Sequence, residues 1–368
     1  MEKMKVLLLS RYDNLGASSR IRMFQYIPYL NSHGIEVTVN PLLGDDYLTD
    51  LYEGRRRKIW PIIVACMRRL GKILASRQYD VLWIEKELFP WLPSFAEQIL
   101  ESLNVPYVLD LDDAIFHSYD EHPNNIVRML LGKKIRKVVA GATWTVVGNP
   151  YLRRYARKIT TRVSVVPSVI DRDRYSGEQS SLSKNGSFTI GWIGSPATSN
   201  CIQKIRPVLQ SFCAKHDARL LLVGAGKVDL PGVPLVERSW SEETELDDIM
   251  EFDVGIMPLY DIAWHRGKSG FKLIQYMASG KPVIASPVGV NIEIVKNSTN
   301  GFIAETDADW LEALSTLYRQ HEARLSMGRM GRIMVEENYC LQVTAPQILD
   351  IIRKAFNAPP RNKLRNIR

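Results

Sequence analysis

The sequence RGKSGFKLIQYMASGKPVIASPVG, residues 266–289, predicts a helix that leads directly into a short buried strand. Apolar residues recur at helical spacing across residues 271–278, and Gly280, followed by Lys-Pro, marks the end of the helix. The apolar run at residues 283–285 then has the length and composition of a strand. A helix followed so closely by a strand is the repeating unit of an α/β fold.

Two lysines lie at the start of this predicted helix. Lys268 precedes it and Lys272 falls in its first turn, with Ser269 as a candidate N-cap. The N-terminal end of a helix carries free N–H groups and partial positive charge, which disfavours cations. Either both side chains extend into water, or an anion binds there between backbone donors and ammonium groups. The stretch therefore predicts a candidate anion site.

The same alternation of strands and helices extends along the whole chain. Predicted strands are residues 6–9, 35–39, 81–84, 107–109 and 145–147, then 188–193, 220–223, 254–257 and 283–285. Predicted helices are residues 19–32, 92–102, 126–139, 201–215, 243–250, 271–278, 310–319 and 343–356. This order predicts two doubly wound α/β domains, each with a mostly parallel sheet.

The stretch from 168 to 186 is rich in Ser, Asp and Lys and lacks apolar periodicity, which predicts a linker. It separates an N-terminal domain at 1–167 from a C-terminal domain at 187–340, and a last helix with a basic tail occupies 341–368. Ligands of doubly wound sheets bind at the carboxyl ends of the strands. The loops that follow strands are therefore the candidate sites.

Composition narrows the class of protein. The chain has 368 residues, 45% apolar and 24% charged, which is typical of a soluble globular protein. Its net charge of +8 favours anionic partners without separating nucleotides, nucleic acids and lipid headgroups. Neither a signal peptide nor an apolar span is evident, and the four scattered cysteines indicate neither a zinc site nor disulfides. A cytoplasmic location is expected.

Residues 188–198, FTIGWIGSPAT, predict a second anion cradle. The strand leads into Gly194 and Ser195, and a helix starts near Thr198. Glycine allows a ligand to approach the backbone, and hydroxyl and N–H groups suit phosphate oxygens. The alternative is an ordinary strand-to-helix turn with a hydroxyl cap. The nearby VGAGKVD at 223–229 lacks the third glycine of a dinucleotide fingerprint, so no NAD cofactor is predicted.

The loop after the first strand, RYDNLGASSRIRMF, contains Gly16, Ser18 and Ser19 and then Arg20 and Arg22. We expect both arginines in the first turn of a helix, which would again place cations at its positive end. This loop is a candidate site for a polar ligand.

A third loop, DLDDAIFHSYD at residues 110–120, follows the fourth predicted strand. It offers Asp110, Asp112, Asp113 and His117. Clustered carboxylates at a strand end can bind hydroxyls, orient a base or bind Mg²⁺. The alternative is a solvated acidic turn that caps the next helix, and His117 on its own is more often structural.

Residues 54–74, GRRRKIWPIIVACMRRLGKIL, predict a basic amphipathic helix that includes Trp60. Such a helix can lie in the headgroup layer of a membrane, beginning with the Arg55–Arg57 cluster. The alternative is a core helix of the first domain with charged flanks.

Several of these motifs resemble one family. GWIGSPAT, the run from Trp264 to Val295 and NGFIAE at 300–305 resemble retaining GT-B glycosyltransferases, broadly family 4, among the bacterial glycosyl transferases of group 1. The segments at 11–22 and 108–120 resemble N-terminal segments in one bacterial branch of that group. The resemblance covers nearly the whole chain.

The resemblance implies two Rossmann-like domains facing across a cleft, a nucleotide-sugar donor on the C-terminal one, an acceptor on the N-terminal one, and a last helix that crosses back. It implies neither a metal nor a separate cofactor. Acceptor-side residues would be Gly16, Ser18, Ser19, Arg20 and His117, with Asp112 or Asp113 orienting the acceptor. Residues that hold the diphosphate would be Gly194, Ser195, Arg266, Lys268 and Lys272, with Thr198 beside them, Glu293 near the donor, and Trp240 at the nucleobase.

The sequence departs from that family at one motif, E-x7-E. Gly267 and Gln275 stand where the family has its two glutamates. The amide of Gln275 remains able to bind ribose hydroxyls. The expected function is retaining sugar transfer to a saccharide or lipid-linked acceptor in cell-surface polysaccharide or glycolipid synthesis, at the inner face of the plasma membrane. The alternatives are a GT-B-like nucleotide-sugar epimerase and a non-catalytic basic scaffold that binds nucleic acid or anionic lipid.

Overall fold

A computed structural model describes residues 3–56, 59–175 and 186–359. The chain divides into two compact units. Unit 1 comprises Met1–Ser168, Gly267–Ser269 and Leu341–Arg368, and unit 2 comprises Val169–Arg266 and Gly270–Cys340. Three predicted features lie wholly or partly outside the described residues: most of the linker at 168–186, Arg57 of the basic cluster, and the basic tail beyond Pro359.

Unit 1 contains a parallel six-stranded sheet of order β2-β1-β3-β4-β5-β6. Its strands are β1 (Met4–Leu9), β2 (Ile35–Val39), β3 (Val81–Glu85), β4 (Tyr107–Leu111), β5 (Trp144–Val147) and β6 (Val163–Val165). All residues of β3 and β4 are buried, as expected of a sheet covered on both faces. The strand order reverses between β1 and β3, so a ligand crevice is expected at their carboxyl ends.

Unit 2 contains a second parallel sheet, of order β12-β11-β10-β7-β8-β9. Its strands are β7 (Phe188–Ile193), β8 (Ala218–Val223), β9 (Leu235–Arg238), β10 (Val254–Met257), β11 (Val283–Ala285) and β12 (Gly301–Ile303). Successive side chains of a strand point to opposite faces, so Ile190 and Trp192 enter one apolar cluster and Ile193 enters the other. The order reverses between β7 and β10, which defines the switch point of this sheet.

Helices cover both sheets. Those of unit 1 are α1 (Ala17–Arg22), α2 (Ile27–Ser32), α3 (Asp45–Tyr52), α4 (Ile59–Leu74), α5 (Phe95–Ser102), α6 (His117–Asp120), α7 (Asn125–Leu131), α8 (Lys134–Gly141), α9 (Pro150–Arg157) and, after the helices of unit 2, α18 (Leu341–Phe356). Those of unit 2 are α10 (Pro196–Ser199), α11 (Arg206–Cys213), α12 (Glu245–Met250), α13 (Ala263–Arg266), α14 (Phe271–Ala278), α15 (Asn291–Ile294), α16 (Asp307–Arg319) and α17 (His321–Asn338). The predicted α/β class with two doubly wound parallel sheets is confirmed.

Some predicted helices are interrupted. The stretch at 19–32 is divided into α1, a 3₁₀ turn at Phe24–Tyr26, and α2, which starts anew with Pro28 in its first turn. The stretch at 126–139 is divided at Gly132 into α7 and α8. Proline supplies no N–H to an earlier carbonyl, so it favours the first turn of a new helix over the interior of a long one.

Candidate functional site

The turn after β7 lies at the switch point of the sheet in unit 2. Lys272, in the first turn of α14, places its Nζ 4.9 Å from the ring centroid of Trp192. A Cβ built on Gly194 would lie 2.5 Å from that Nζ, so only glycine allows the ammonium group this close to the turn. The structure therefore brings together Gly194 and Lys272, two residues of the predicted anion cradle.

Two further predicted site residues, Ser195 and Thr198, contact each other in this turn, and Gly224 and Trp240 lie beside it. Ser195 is the N-cap of α10, and the Thr198 hydroxyl donates to the Ser195 carbonyl at 3.1 Å. A Cβ built on Gly224 would lie 2.5 Å from the Gly194 carbonyl oxygen and 2.9 Å from Cβ of Trp240. Gly224 thus lies between the Gly194 turn and Trp240, whose indole N–H donates to Glu245 at 2.7 Å.

Helix α14 begins at Phe271, as predicted, but its N-cap is Gly270 and not Ser269. Gly270 has a φ of +69°, a left-handed conformation that a serine at the cap position would adopt only with strain. A Cβ on Gly270 would also lie 2.5 Å from Cδ1 of Ile294. The predicted serine cap is therefore wrong.

Two of the three other predicted donor-side residues, Arg266 and Gln275, have partners within unit 2. Arg266 forms a two-pronged ion pair with the exposed Asp261, at 2.7 and 2.9 Å. Gln275 is only 5% exposed, and its side chain hydrogen-bonds with Tyr175. Glu293 is exposed in the first turn of α15. Their roles toward a donor stay predictions.

The acidic loop after β4 forms a charged cluster in unit 1. Asp112 is only 8% exposed, accepts a short hydrogen bond from the Ser18 hydroxyl, and lies 3.0 Å from Nζ of Lys86. Asp113 accepts from Nζ of Lys268 at 3.0 Å and lies 3.8 Å from Nζ of Lys86. Four predicted site residues, Ser18, Asp112, Asp113 and Lys268, are therefore neighbours around one lysine that sequence reasoning missed.

Burial and charge act in opposite directions in this cluster. Burial alone would raise the pKa of Asp112, but the Lys86 ammonium and the Ser18 hydroxyl outweigh it and hold that pKa below its usual range. Burial likewise lowers the pKa of Lys86, yet the carboxylates of Asp112, Asp113 and Glu85 raise it overall. Asp112 is accordingly an anion at neutral pH and Lys86 a cation.

The missed residues lie at the end of β3, where Glu85 is the last residue of the strand and Lys86 and Glu87 follow it. Lys86 has a φ of +62°, a conformation that costs energy for a residue with a side chain. Glu87 accepts from Nζ of Lys134 at 2.5 Å and from the Tyr119 hydroxyl at 2.8 Å. The only sequence signal was an unusual run of alternating charges after an apolar strand.

The arginines of α1 correct a second prediction. The helix ends at Arg22, so Arg20 and Arg22 lie in its last turn, where cations are favoured, and not in its first. The guanidinium of Arg22 is buried and donates to both carboxylate oxygens of Asp110, at 2.9 and 3.0 Å. Arg20 donates to the Asn14 carbonyl at 2.6 Å.

Two of the small residues in this loop hold it in place. The Ser19 hydroxyl is fully buried and donates to Glu85 Oε2 at 2.6 Å, and Glu85 Oε2 also accepts from the Arg11 N–H at 2.8 Å. A Cβ on Gly16 would lie 2.4 Å from Cβ of Tyr12. In the described structure Ser19 therefore positions the loop, and a contact with an acceptor stays a prediction.

His117 lies at the start of α6. Its Nε2 is 2.9 Å from the Tyr151 hydroxyl, and its Nδ1 is 3.0 Å from Asp120 and 3.1 Å from Glu121. Imidazole and carboxylate groups this close are able to hold a metal ion, although exposed acids often hydrogen-bond with a histidine without one. The predicted absence of a metal requirement stays a prediction.

Gly267 occupies the position where the family that the sequence resembles has the first glutamate of its E-x7-E motif. A Cβ there would lie 2.4 Å from Cβ of Ala114 and 2.8 Å from its backbone nitrogen. The buried side-chain amide of Asn149 donates to the carbonyls of Gly267 and Lys268, at 2.8 and 3.1 Å. This packing in unit 1 leaves no room for a glutamate side chain at position 267.

Helix α4 exposes most of its apolar residues. Trp60 is 77% exposed, and Ile59, Val64, Met67 and Leu74 are exposed to a similar degree. The alternative of a core helix is therefore wrong, because of the residues in α4 only Arg69 and Ile73 are buried. Among the described residues, none of the helices combines the length and apolar character needed to cross a bilayer.

Comparison with known structures first defines the class of fold. Sucrose-phosphate synthase (tll1590) from Thermosynechococcus elongatus matches with a TM-score of 0.72 at 12% identity, over 97% of this chain and 100% of that chain. WaaG, a glycosyltransferase involved in lipopolysaccharide biosynthesis, matches with 0.68 at 15%, over 95% and 99%. Anabaena Alr3699/HepE in complex with UDP-glucose matches with 0.65 at 14%, over 94% and 98%. The predicted GT-B fold is confirmed.

The family comparison is more specific for unit 2. Residues 188–320 match the family model described as "Glycosyl transferases group 1". This segment begins with β7 and includes both the Gly194 turn and α14. No curated protein matches the chain. The resemblance to group 1 glycosyltransferases is thus confirmed over the segment that carries the candidate anion cradle, while retention and membership of family 4 stay predictions.

Proposed function

We propose that this protein is a glycosyltransferase that moves a sugar from a nucleoside diphosphate sugar to a saccharide or lipid-linked acceptor, with retention at the anomeric carbon. The observation that carries the proposal is the ammonium group of Lys272 against the Gly194 turn, at the switch point of the matched domain. A cation and backbone donors at that place suit a diphosphate.

Charge development explains the chemistry. When the bond between the anomeric carbon and the diphosphate breaks, negative charge grows on the leaving oxygen. A preorganised cation stabilises that charge more in the transition state than in the ground state, which accelerates the step. In the retaining reaction that we propose, the leaving phosphate oxygen accepts the proton of the acceptor hydroxyl on the same face of the sugar.

The unit 1 cluster supplies the acceptor side of the proposal. Asp112, ionised beside Lys86, can accept a hydrogen bond from an acceptor hydroxyl and so orient it. Lys268 pairs with Asp113 at 3.0 Å, which reduces the repulsion between the adjacent carboxylates of Asp112 and Asp113. A uridine diphosphate sugar is a reasonable first donor to test, since HepE is described with UDP-glucose.

The function is tested by incubating the purified protein with radiolabelled UDP-, GDP-, ADP- and dTDP-sugars. We expect slow hydrolysis or transfer with at least one donor, and NMR of the glycoside formed by transfer should report the anomeric configuration of the donor. Interconversion to an epimer without release of nucleotide would support an epimerase instead. Absence of nucleoside diphosphate binding at millimolar concentration would contradict any role in sugar transfer.

We further propose peripheral association with anionic membranes through α4. The exposed apolar side chains of α4 lie on the same helix as the exposed Arg68 and the half-buried Lys72. Apolar groups enter the acyl boundary and cations pair with anionic headgroups. This would bring the enzyme to lipid-linked acceptors and to cell-surface polysaccharide or glycolipid synthesis.

Replacing both Trp60 and Met67 with serine should lower binding to vesicles that contain phosphatidylglycerol by about a hundredfold or more, since burial of each apolar side chain contributes roughly 1.5–3 kcal/mol. Co-sedimentation measures the bound fraction. Ile292→Ser, at an exposed apolar residue of unit 2, is the matched control and should bind as the unaltered protein does. Equal binding by all three proteins would exclude α4 as the membrane contact.

A further inference from the structure

Unit 1 contains a groove of about 370 Å³ between α3 and α4. This volume falls within the roughly 300–1,000 Å³ of small-molecule pockets. The apolar side chains that line it include Leu42, Tyr47, Leu51, Ile62, Val64 and Ala65. None of the residues proposed above to bind the donor or to orient the acceptor lines this groove.

The wall of the groove is hydrogen-bonded to the loop that carries the predicted acceptor residues. The N–H of Leu43 donates to the Arg11 carbonyl, and the N–H of Asp13 donates to the Leu43 carbonyl, both at 3.1 Å. The N–H of Leu15 donates to the Asp45 carboxylate at 2.8 Å. The wall of the groove is therefore held against the segment that leads to Ser18 and its partner Asp112.

A buried arginine fixes the other wall. Arg69 of α4 donates to the Ser10 carbonyl at 2.6 Å and to the side chain and carbonyl of Asn40, at 2.9 and 2.6 Å. Ser10 and Asn40 follow β1 and β2 directly, so α4 is held at the carboxyl edge of the sheet. The groove is thus a preformed feature at the edge where ligands of such sheets bind.

The character of the groove indicates its ligand. Its few charged groups are Asp46, Asp50 and Arg68, and Asp50 is paired with Arg55 at 3.1 Å. Because the acidic and basic groups nearly balance, the groove has no excess positive charge to attract a phosphate. Its apolar walls favour a hydrocarbon chain instead. Val64 lines the groove and is also 63% exposed, so the groove opens onto the apolar surface of α4.

We propose that this groove binds the hydrocarbon chain of a lipid-linked glycosyl acceptor, an inference that rests on the proposed function. The chain enters from the exposed surface of α4, and the attached polar group lies toward the loop of Ser18. The acceptor is accordingly an amphipathic saccharide lipid and not a free sugar. The hydrocarbon chain of the acceptor also contributes binding energy at a distance from the hydroxyl that reacts.

Calorimetry with alkyl maltosides below their micelle concentration tests this without knowledge of the natural acceptor. Dodecyl maltoside should bind at least about tenfold more tightly than methyl maltoside, since each buried methylene contributes roughly 0.8 kcal/mol. Ala65→Trp, which fills the groove, and Leu51→Asp, which charges its wall, should each remove that preference. Trp60→Ser, on the same helix but outside the groove, should retain it.

The outcomes are distinct. Chain-length preference that Ala65→Trp and Leu51→Asp abolish, and that Trp60→Ser retains, supports the groove. Unchanged preference in a folded Leu51→Asp protein, or its loss in Trp60→Ser, overturns the proposal and assigns the chain to the membrane-facing surface. Titration with UDP and the other nucleoside diphosphates of the same proteins tests the proposed function separately, because the groove lies in unit 1 and the anion cradle in unit 2.

Discussion

Replacing Lys272 with alanine should lower kcat for sugar release by about 10²- to 10³-fold, the range seen when a group that stabilises transition-state charge is removed. The ammonium group lies against the Gly194 turn and no other side chain can enter that space without displacing it. The change also removes the contact with the face of Trp192, a cation–π interaction worth about 0.5–2 kcal/mol of stability. Steady-state kinetics and thermal unfolding of the same protein separate the two effects.

Lys272→Arg should recover part of the activity, because the charge is kept while its position changes. Lys296→Ala removes an exposed lysine of the same unit and should leave kcat unchanged. A Lys272→Ala protein with nearly unaltered kcat would show that the ammonium group does not serve the leaving diphosphate.

Replacing Lys86 with methionine should move the acidic limb of the kcat/KM profile upward by about 1–3 pH units, the size of the effect of a neighbouring opposite charge. Asp112 is active in the proposed mechanism as a carboxylate, and Lys86 is what keeps its pKa low despite burial. With the cation gone, burial dominates and the carboxylate takes up a proton at higher pH. Asp112→Asn should lower kcat at all pH values.

The stability of the folded protein should also depend on the ionisation of Asp112, in the same direction as the activity. Because the pKa of Asp112 is lower in the folded than in the unfolded protein, its ion pair stabilises the fold above the unfolded pKa of about 4, and that contribution is lost as pH falls through the folded pKa. Lys133→Met makes the same change of charge at an exposed residue and should alter neither the profile nor acid stability. If the acidic limb of the kcat/KM profile is unchanged in Lys86→Met, Lys86 does not act as the residue that positions Asp112 and keeps its pKa low.

The central strands were predictable from sequence because they are buried on both faces. Residues 188–193, 254–257 and 283–285 are central strands with the predicted bounds, and the longer edge strand at 35–39 was predicted as well. The three strands that were missed, β6, β9 and β12, are all edge strands of three or four residues. An edge strand of only three or four residues that is partly exposed has an apolar pattern too weak to separate it from a loop.

The candidate site was predictable only where its residues lie on one local motif. Gly194 and Ser195 follow a strand and Lys272 opens a helix, which are signals that the sequence displays directly. The cluster around Lys86 joins residues from β3, α1, the loop after β4 and the segment at 267–269. Such long-range charge pairing has no periodicity, and the left-handed backbone of Lys86 has no sequence signature.

Unit 1 is completed by α18, the last described helix of the chain. Its apolar residues, such as Ile348 and Ile352, are buried in unit 1, and Thr344 is 2.9 Å from the Tyr26 hydroxyl. During synthesis, all of unit 2 therefore leaves the ribosome before the N-terminal sheet receives its final covering helix. Nascent unit 1 carries an uncovered apolar face until Leu341–Phe356 has been synthesised, and such transiently exposed apolar surface promotes aggregation.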